Sequence, residues 1–555
     1  MKKYLRTTIL LFVLVNLLYC WGCSSSGTDT STHSMTVKVN IATSDTADNP
    51  AVVETVDTIQ LEFSSPLNVA TVEGHIELFR VKASDDLENV PFRTEISQNR
   101  VLLIKADGTK LKEGEAYKLI VRKGVASASG LTLASDFTGF FATCHSFTLD
   151  HTPLTGLTES RAVILCISDL HLGDDRSFNK GYGWLNTNRL LLEGFLKKVR
   201  LSPNIKELVI AGDLFDEWVA PMDVDPLNGK SQSEFVTSIA TSNQDIINAL
   251  NNIIQDGLIK VTYVPGNHDM LVTPGDIDRI FPGIAQVRDA EGLGRYTPPD
   301  RQEIIIEHGH RYDFYNAPDP FSNQTITATP LLPPGFFVSK IAATSDLQRA
   351  SRLAPRMPIT SEKPEGSDFK YWLYLGAWEV ILSQKPVVVP RSDKIIKTGI
   401  GGYKDLYAIN DLVPYNIGRG VLDVNLYKNI EETWPARQTR NLVPSHISTA
   451  ESVAAGALNI VLDAQALRQY ILAPASPKRI VVFGHTHKAI LMPFPLNKAA
   501  YINTGTWIDS ADPTATFAII VPPQGDMSAS YLATYQYLSD GSIKRLDHAV
   551  LTCKQ

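Results

Sequence analysis

Five times in this chain an apolar run breaks off at a short cluster of Asp, Asn or His, and that repetition constrains the fold more than any other feature. Val163-Ile164-Leu165-Cys166-Ile167-Ser168 ends in Asp169-Leu170-His171. Leu208-Val209-Ile210-Ala211 ends in Gly212-Asp213-Leu214-Phe215-Asp216-Glu217-Trp218. Val261-Thr262-Tyr263-Val264-Pro265 runs into Gly266-Asn267-His268-Asp269, Ile304-Ile305-Ile306 into Glu307-His308-Gly309-His310, and Ile480-Val481-Val482-Phe483 into Gly484-His485-Thr486-His487. Short apolar runs bounded by turn signals read as buried strands. Gly212 lets the backbone turn sharply, and the ends of strands are where α/β folds gather their chemistry. One such turn is a common solvated loop. Five of them, in a chain with 12 histidines, are hard to account for as core packing. Carboxylate, amide and imidazole groups are the ligands that borderline divalent cations take, so the pattern predicts a two-metal site.

The 555 residues exceed what one core serves, and two or three domains are expected. A net charge of −7 argues against a general nucleic-acid binder, and no nucleic-acid partner is predicted. Residues 1–23 read as an export signal: Lys2, Lys3 and Arg6 precede an apolar stretch from Thr8 to Leu18 that is short for a membrane span. A small residue before a cysteine, then a Ser/Gly/Thr-rich stretch, resembles a bacterial lipoprotein signal, with Cys23 after Gly22 the lipidation candidate. Cys20, behind the bulky Tyr19, suits that cleavage less well. A simple secretory signal with a chance cysteine is the alternative. Acyl chains on Cys23 anchor a protein to a membrane surface. Residues 24–34 read as a flexible tether. Cys144, Cys166 and Cys553 then remain. Three scattered cysteines make no disulfide framework; Cys166 reads as a small core hydrophobe, and whether Cys144 and Cys553 pair is open.

From Met35 to about Asp150 short alternating strands predict a β-sandwich, for example Met35–Val39, Thr58–Phe63 and Ala116–Val121. Phe63-Ser64-Ser65-Pro66-Leu67, Leu111-Lys112-Glu113-Gly114-Glu115-Ala116-Tyr117, and Ser129-Gly130-Leu131 with Asp136-Phe137 resemble the bacterial Ig-like domains of exported proteins. This domain is expected to be a spacer, with a glycan- or protein-binding module as the alternative. After residue 160 strand and helix patterns alternate, the signature of α/β architecture. Leu190, Leu191, Phe195, Leu196 and Val199 are predicted to line one helical face, and Phe235, Ile239, Ile246, Leu250 and Ile253 another. Residues 314–475 break the rhythm with proline-rich loops, an aromatic cluster (Tyr371, Trp372, Tyr374, Trp378) and a helix near Ala450 to Leu472. They are read as a cap inserted into the catalytic domain of residues 151–555. Strands are expected again around Tyr501–Asn503, Phe517–Val521 and Tyr531–Tyr535.

The order Asp-x-His, Gly-Asp-x-x-Asp, Gly-Asn-His-Asp, His, Gly-His-x-His resembles the calcineurin-like metallophosphoesterases, with all five parts intact between Asp169 and His487. The resemblance implies a four-layer α/β/β/α sandwich. It also implies two divalent metal ions, of which Mn, Fe, Zn and Co all suit these donors. Asp169, His171 and His487 would bind one, Asn267, His308 and His485 the other, and Asp213 would bridge both. The resemblance favours His308 over His310 as the His of a strand-ending His-Gly. It makes His268 the catalytic group that meets the phosphate, oriented by Asp216 and supported by Asp269. The implied reaction is hydrolysis of a phosphate ester or pyrophosphate by attack of a metal-bridging hydroxide. Purple acid phosphatases carry a tyrosine where this chain has Asp216. Asp169-Leu170-His171-Leu172-Gly173 and the run from Gly212 to Trp218 are most similar to UDP-2,3-diacylglucosamine hydrolases, which act on the cytoplasmic side. Arg349, Arg352 and Arg356 could clamp a phosphate or headgroup, a solvated cap surface being the plainer reading.

The expectation is therefore an exported, membrane-anchored phosphoesterase of the bacterial cell envelope, periplasmic or outer-membrane facing. Its substrate would be a phosphorylated small molecule or a lipid-linked one. The alternatives are a specific sugar-nucleotide lipid pyrophosphatase and a non-catalytic surface-binding lipoprotein on the same scaffold.

Overall fold

The computed structural model describes residues 34–552 apart from 48, 54–57, 84–85, 106–108, 113, 144–160, 323–331, 349–368, 401–402, 404, 416–421, 458–461, 474–477, 495–497 and 524–528. The export signal, the tether, Cys20, Cys23, Cys144, Cys553, Arg349, Arg352 and Arg356 lie outside the described residues. Among the described residues no helix is long and apolar enough to cross a membrane.

Two compact units emerge. The first holds residues up to Asp45 with Asp57–Lys110 and Tyr117–Phe140; the second holds Thr46–Val56, Leu111–Ala116 and Phe141 onward. The first is all-β. One sheet runs Val37–Val39, Thr58–Phe63, Arg100–Lys105, Phe92–Ser97, antiparallel throughout. Along Thr58–Phe63 the buried residues alternate strictly, Ile59, Leu61 and Phe63 pointing inward, because a period of two puts every second side chain on the core face.

The second unit carries strands β1 (Val163–Ile167), β2 (Ile205–Ala211), β3 (Lys260–Val264), β4 (Ala285–Gln286), β5 (Arg295–Tyr296), β6 (Ile304–Glu307), β7 (Ile480–Phe483), β8 (Ala489–Phe494), β9 (Ala499–Thr504), β10 (Thr516–Val521), β11 (Ala529–Tyr537) and β12 (Ile543–Thr552). They form a seven-stranded sheet, β4-β3-β2-β1-β10-β11-β12, and a five-stranded sheet, β5-β6-β7-β9-β8. The strands around Tyr501, Phe517 and Tyr531 are where the sequence predicts them. Ile164, Cys166, Val209 and Ala211 meet Ile304, Ile306, Ile480, Val482 and Ile502 in a core between the sheets. Leu165, Ile167, Leu208 and Ile210 join a second core with the helices, which also takes in Ile305, Val481 and Phe483 from the other sheet. The central strands β1, β2, β6 and β7 are thus covered on both faces and read as largely unbroken apolar runs. The result is the four-layer α/β/β/α sandwich.

Helix α1 spans Asp175–Lys180 and α2 Arg189–Arg200. In α2 the buried face is Leu192, Phe195, Leu196 and Val199, while Leu190 is 75% exposed. The expected face is corrected here: positions 192, 195, 196 and 199 keep the helical period, and 190 falls out of phase with them. The long helix expected before β3 is two helices, α3 (Gln232–Ser242) and α4 (Gln244–Asp256). They part at buried Asn243, whose side-chain amide donates to the carbonyls of Gly173 and Ile239, 2.8 Å each. Asn competes for backbone carbonyls in this way and ends helices. Helix α5 is Pro274–Ile280. Between β6 and β7, which are parallel neighbours, lie α6 (Pro334–Gln348), α7 (Phe369–Gln384), α8 (Ile430–Arg440) and α9 (Thr449–Ala457). Of the helix expected near Ala450 to Leu472, α9 and a π-helical turn at Leu467–Ile471 are seen, with residues 458–461 outside the described residues.

Candidate metal centre

The predicted residues sit on turns leaving the C-terminal ends of β1, β2, β3, β6 and β7. Parallel strands bring those turns together: Asp169 N donates to Gly212 O at 3.0 Å and His171 N to Asp213 O at 3.0 Å. Asp169, His171, Asp213, His485 and His487 all have positive φ, between 50° and 71°. Left-handed backbone costs a non-glycine residue about 1–3 kcal/mol and persists where surrounding structure enforces it. Here five such residues share one site. Gly266 has no room for a side chain, since a Cβ there would lie 2.1 Å from Asp213 Oδ1.

Donor atoms converge tightly. His171 Nε2 lies 3.2 Å from His487 Nε2, 3.6 Å from Asp213 Oδ2 and 3.9 Å from Asp169 Oδ1. His487 Nε2 lies 3.1 Å from Asp169 Oδ1. On the other side His308 Nε2 lies 3.2 Å from Asp213 Oδ2 and 3.1 Å from Asn267 Oδ1. Asp213 Oδ2 thus faces both groups. Bonds of about 2.1 Å to a shared ion set neighbouring donor atoms roughly 3.0–3.4 Å apart, so the spacing fits divalent cations. Asp169, His171, Asp213 and His487 form a set whose donor atoms lie within 4.8 Å of one another. His308 Nδ1 donates to Ala211 O at 2.8 Å, which leaves Nε2 for the site. His310 instead donates from Nε2 to Gly292 O at 3.0 Å, turned away.

Residues 162–334 match the family model described as calcineurin-like phosphoesterase, and residues 35–148 match the model of a bacterial Ig-like domain. The chain carries a calcineurin-like phosphoesterase domain. Its Ig-like domain suits an extracellular or envelope protein. Comparison with curated proteins finds no match. Among solved structures the chain is similar to purple acid phosphatase PPD1 from yellow lupin (Lupinus luteus) seeds, at 10% identity over 91% of this chain and 73% of that one, TM-score 0.27. It is also similar to a single mutant of Vps29 from Entamoeba histolytica (11% identity, 70% and 98% covered, TM-score 0.21). A third is the methionine-rich copper resistance protein PcoC from Escherichia coli (18% identity, 17% and 85% covered, TM-score 0.14). His485 and His487 lie beyond the matched segment of the phosphoesterase domain; the pairing of β7 with β6 carries them to the site.

Electrostatics in the phosphoesterase domain follow from burial opposed by partners. Burial disfavours a charged Asp213, yet the His308 and His268 rings outweigh it and hold its carboxyl well below the usual range. Burial likewise opposes a charged His308, but Asp213 and Asp169 lift it to about 9. Asp269 is pushed up to about 6 by burial and by Asp213. Two further histidines share Asp216 and move apart. Burial and the nearby His268 lower His171, whereas for His268 the carboxylates of Asp216 and Asp213 overcome burial and raise it.

Two residues that the sequence did not single out, Asp313 and Asn503, brace the site. Asp313 accepts from His485 Nε2 at 3.0 Å, so Nδ1 is the nitrogen that His485 keeps free. Asn503 donates to Gly484 O at 2.7 Å and Thr486 Oγ1 at 3.0 Å, fixing the turn that bears both histidines. Asp269, expected to support His268, accepts from Gly266 N at 2.6 Å and Leu214 N at 2.9 Å, bracing one metal-site turn against another.

Proposed function

We propose that the protein is a two-metal phosphoesterase that hydrolyses a phosphate ester or pyrophosphate, of a small molecule or a lipid-linked one. The reading rests on one observation above all: Asp213 Oδ2 lies 3.6 Å from His171 Nε2 and 3.2 Å from His308 Nε2, at the junction of two donor sets. Asp169, His171 and His487 would hold one cation, Asn267, His308 and His485 the other, with Asp213 shared. When bound, the pair supplies Lewis acidity for the phosphoryl oxygens and a nucleophile at neutral pH.

The rest is the work of the chain. Asp216 takes His171 Nδ1 and leaves Nε2 for ligation. It also takes His268 Nδ1, so His268 presents Nε2 to the phosphoryl group and hands a proton to the departing oxygen. The Trp218 ring lies against His268, centroids 4.7 Å apart, and keeps water from that side. Residues 314–475 form a cap that governs which ester enters, and the chain is exported and anchored through lipid on Cys23, with the Ig-like domain as a spacer. Hydrolysis of bis(p-nitrophenyl) phosphate with and without Mn²⁺ tests the reading. Mn²⁺-dependent turnover in the wild type and none in Asp213→Ala is expected; no turnover and no bound metal in the wild type would favour a surface-binding protein.

A further inference from the structure

Exposure of the side chains at the metal centre is concentrated at one residue. Asp169, His171 and His308 are fully covered, and His268 and His485 show 6% and 9% of their side chains, but His487 is 26% exposed. The opening is therefore at His487. Beside it stands Trp184, half-buried, its ring centroid 6.0 Å from that of His487, 5.1 Å from His268 and 4.8 Å from His171. Its inner side packs on Tyr182, Val219 and Ala343.

The loop that carries Trp184 is held rigidly. Asp509 N donates to Trp184 O at 2.9 Å. The Asp509 carboxylate in turn accepts from three successive backbone amides, those of Asn186 and Thr187 at 2.9 Å and Asn188 at 3.0 Å. Such clamping prepays the ordering cost of presenting a large aromatic surface at the mouth of a site.

We infer that Trp184 is a specificity-determining residue: it receives the ester group of a phosphoryl substrate whose phosphate meets His268. The substrate class is then a phosphate ester bearing an aromatic or nucleobase ring, since flat rings gain more by packing on indole than small alkyl groups do. This inference rests on the phosphoesterase reading.

Calorimetric titration of the Mn²⁺-loaded full chain with phenylphosphonate and methylphosphonate, alongside hydrolysis of phenyl phosphate, tests it. The wild type is expected to prefer the phenyl compound by about tenfold, Trp184→Phe to keep most of that preference, and Trp184→Ala to lose it. An undiminished preference in Trp184→Ala, with phenyl phosphate still hydrolysed by the wild type, overturns the platform and leaves the phosphoesterase reading standing. A wild type that neither binds the phosphonates nor hydrolyses the ester overturns both.

Discussion

Asp216 divides its carboxylate between His171 and His268: Oδ2 lies 3.1 Å from Nδ1 of the first and Oδ1 3.0 Å from Nδ1 of the second. The group cannot swing, because Oδ1 also accepts from the backbone amides of Trp218 and Val219 at 3.0 and 2.9 Å. One carboxylate thus orients both His171, placed for ligation, and His268, the proposed proton donor. Removing the second function alone and removing both should give different signatures. His268→Ala is expected to keep its metal and lose roughly 10²–10⁴-fold in kcat. Asp216→Ala is expected to lose comparable rate and, in addition, about 10–100-fold in metal affinity. Metal titration alongside steady-state kinetics separates the two; equal metal loss in both variants would mean that His268 is itself a ligand.

Asp313 does for His485 what Asp216 does for His171, and the pair is buried on both sides, at 4% and 9% side-chain exposure. Asp313→Ala leaves the His485 ring free to rotate and its tautomer unfixed. A drop of about 10–100-fold in affinity for one cation is expected, measured by Mn²⁺ calorimetry. Unchanged affinity for both ions would show that His485 needs no partner.

Gly266 lets the β3 turn approach Asp213. With a Cβ 2.1 Å from Asp213 Oδ1 and 2.3 Å from its backbone nitrogen, Gly266→Ala must displace the shared carboxylate. Loss of metal binding is expected, with thermal unfolding moved by about 1–3 kcal/mol, as for an overpacked site. Full metal content in that variant would show the approach to be dispensable.

Lys340 offers a test of stability against pH, away from the centre. It is fully buried on α6, its ammonium donating to Val224 O at 3.0 Å, and burial lowers its pKa to about 7 from 10.5. Below pH 7 both folded and unfolded chains carry the proton, and the fold bears the whole cost of the buried charge, on the order of 5 kcal/mol. Between 7 and 10.5 the unfolded chain binds more protons, so this contribution to stability rises with pH. Lys340→Met is expected to stabilise the protein by about 1–3 kcal/mol at pH 6.5 and to gain less at pH 9.5. Urea unfolding at the two pH values checks it, and an equal effect at both would place the lysine in a solvated setting.

How legible was this in the chain itself? The turns after β1, β2, β3, β6 and β7 were, because buried parallel strands are written as unbroken apolar runs and each ends in groups with no business in a core. His308 and His310 differ by two positions and were separated only by the His-Gly pattern of the resemblance; the bonds from His308 Nδ1 to Ala211 O and from His310 Nε2 to Gly292 O tell them apart physically. Asp313 and Asp509 escaped notice because each works on a partner far along the chain, His485 and Trp184, with no spacing rule joining them. Leu190 misled because it is apolar although it lies on the side of the helix opposite the buried face, and Asn243 because its helix-breaking bond to Gly173 is tertiary. Local pattern gave the strands and the reactive turns, while the bonds that orient the reactive side chains are non-local.

The shared position of Asp213 is the centre of the account, and electron paramagnetic resonance of the Mn²⁺-loaded chain tests it most directly. Two Mn²⁺ per chain with an exchange-coupled spectrum are expected, the coupling and the tight binding both vanishing in Asp213→Ala. A wild-type spectrum of isolated, uncoupled Mn²⁺, or a coupled pair that survives Asp213→Ala, would contradict it.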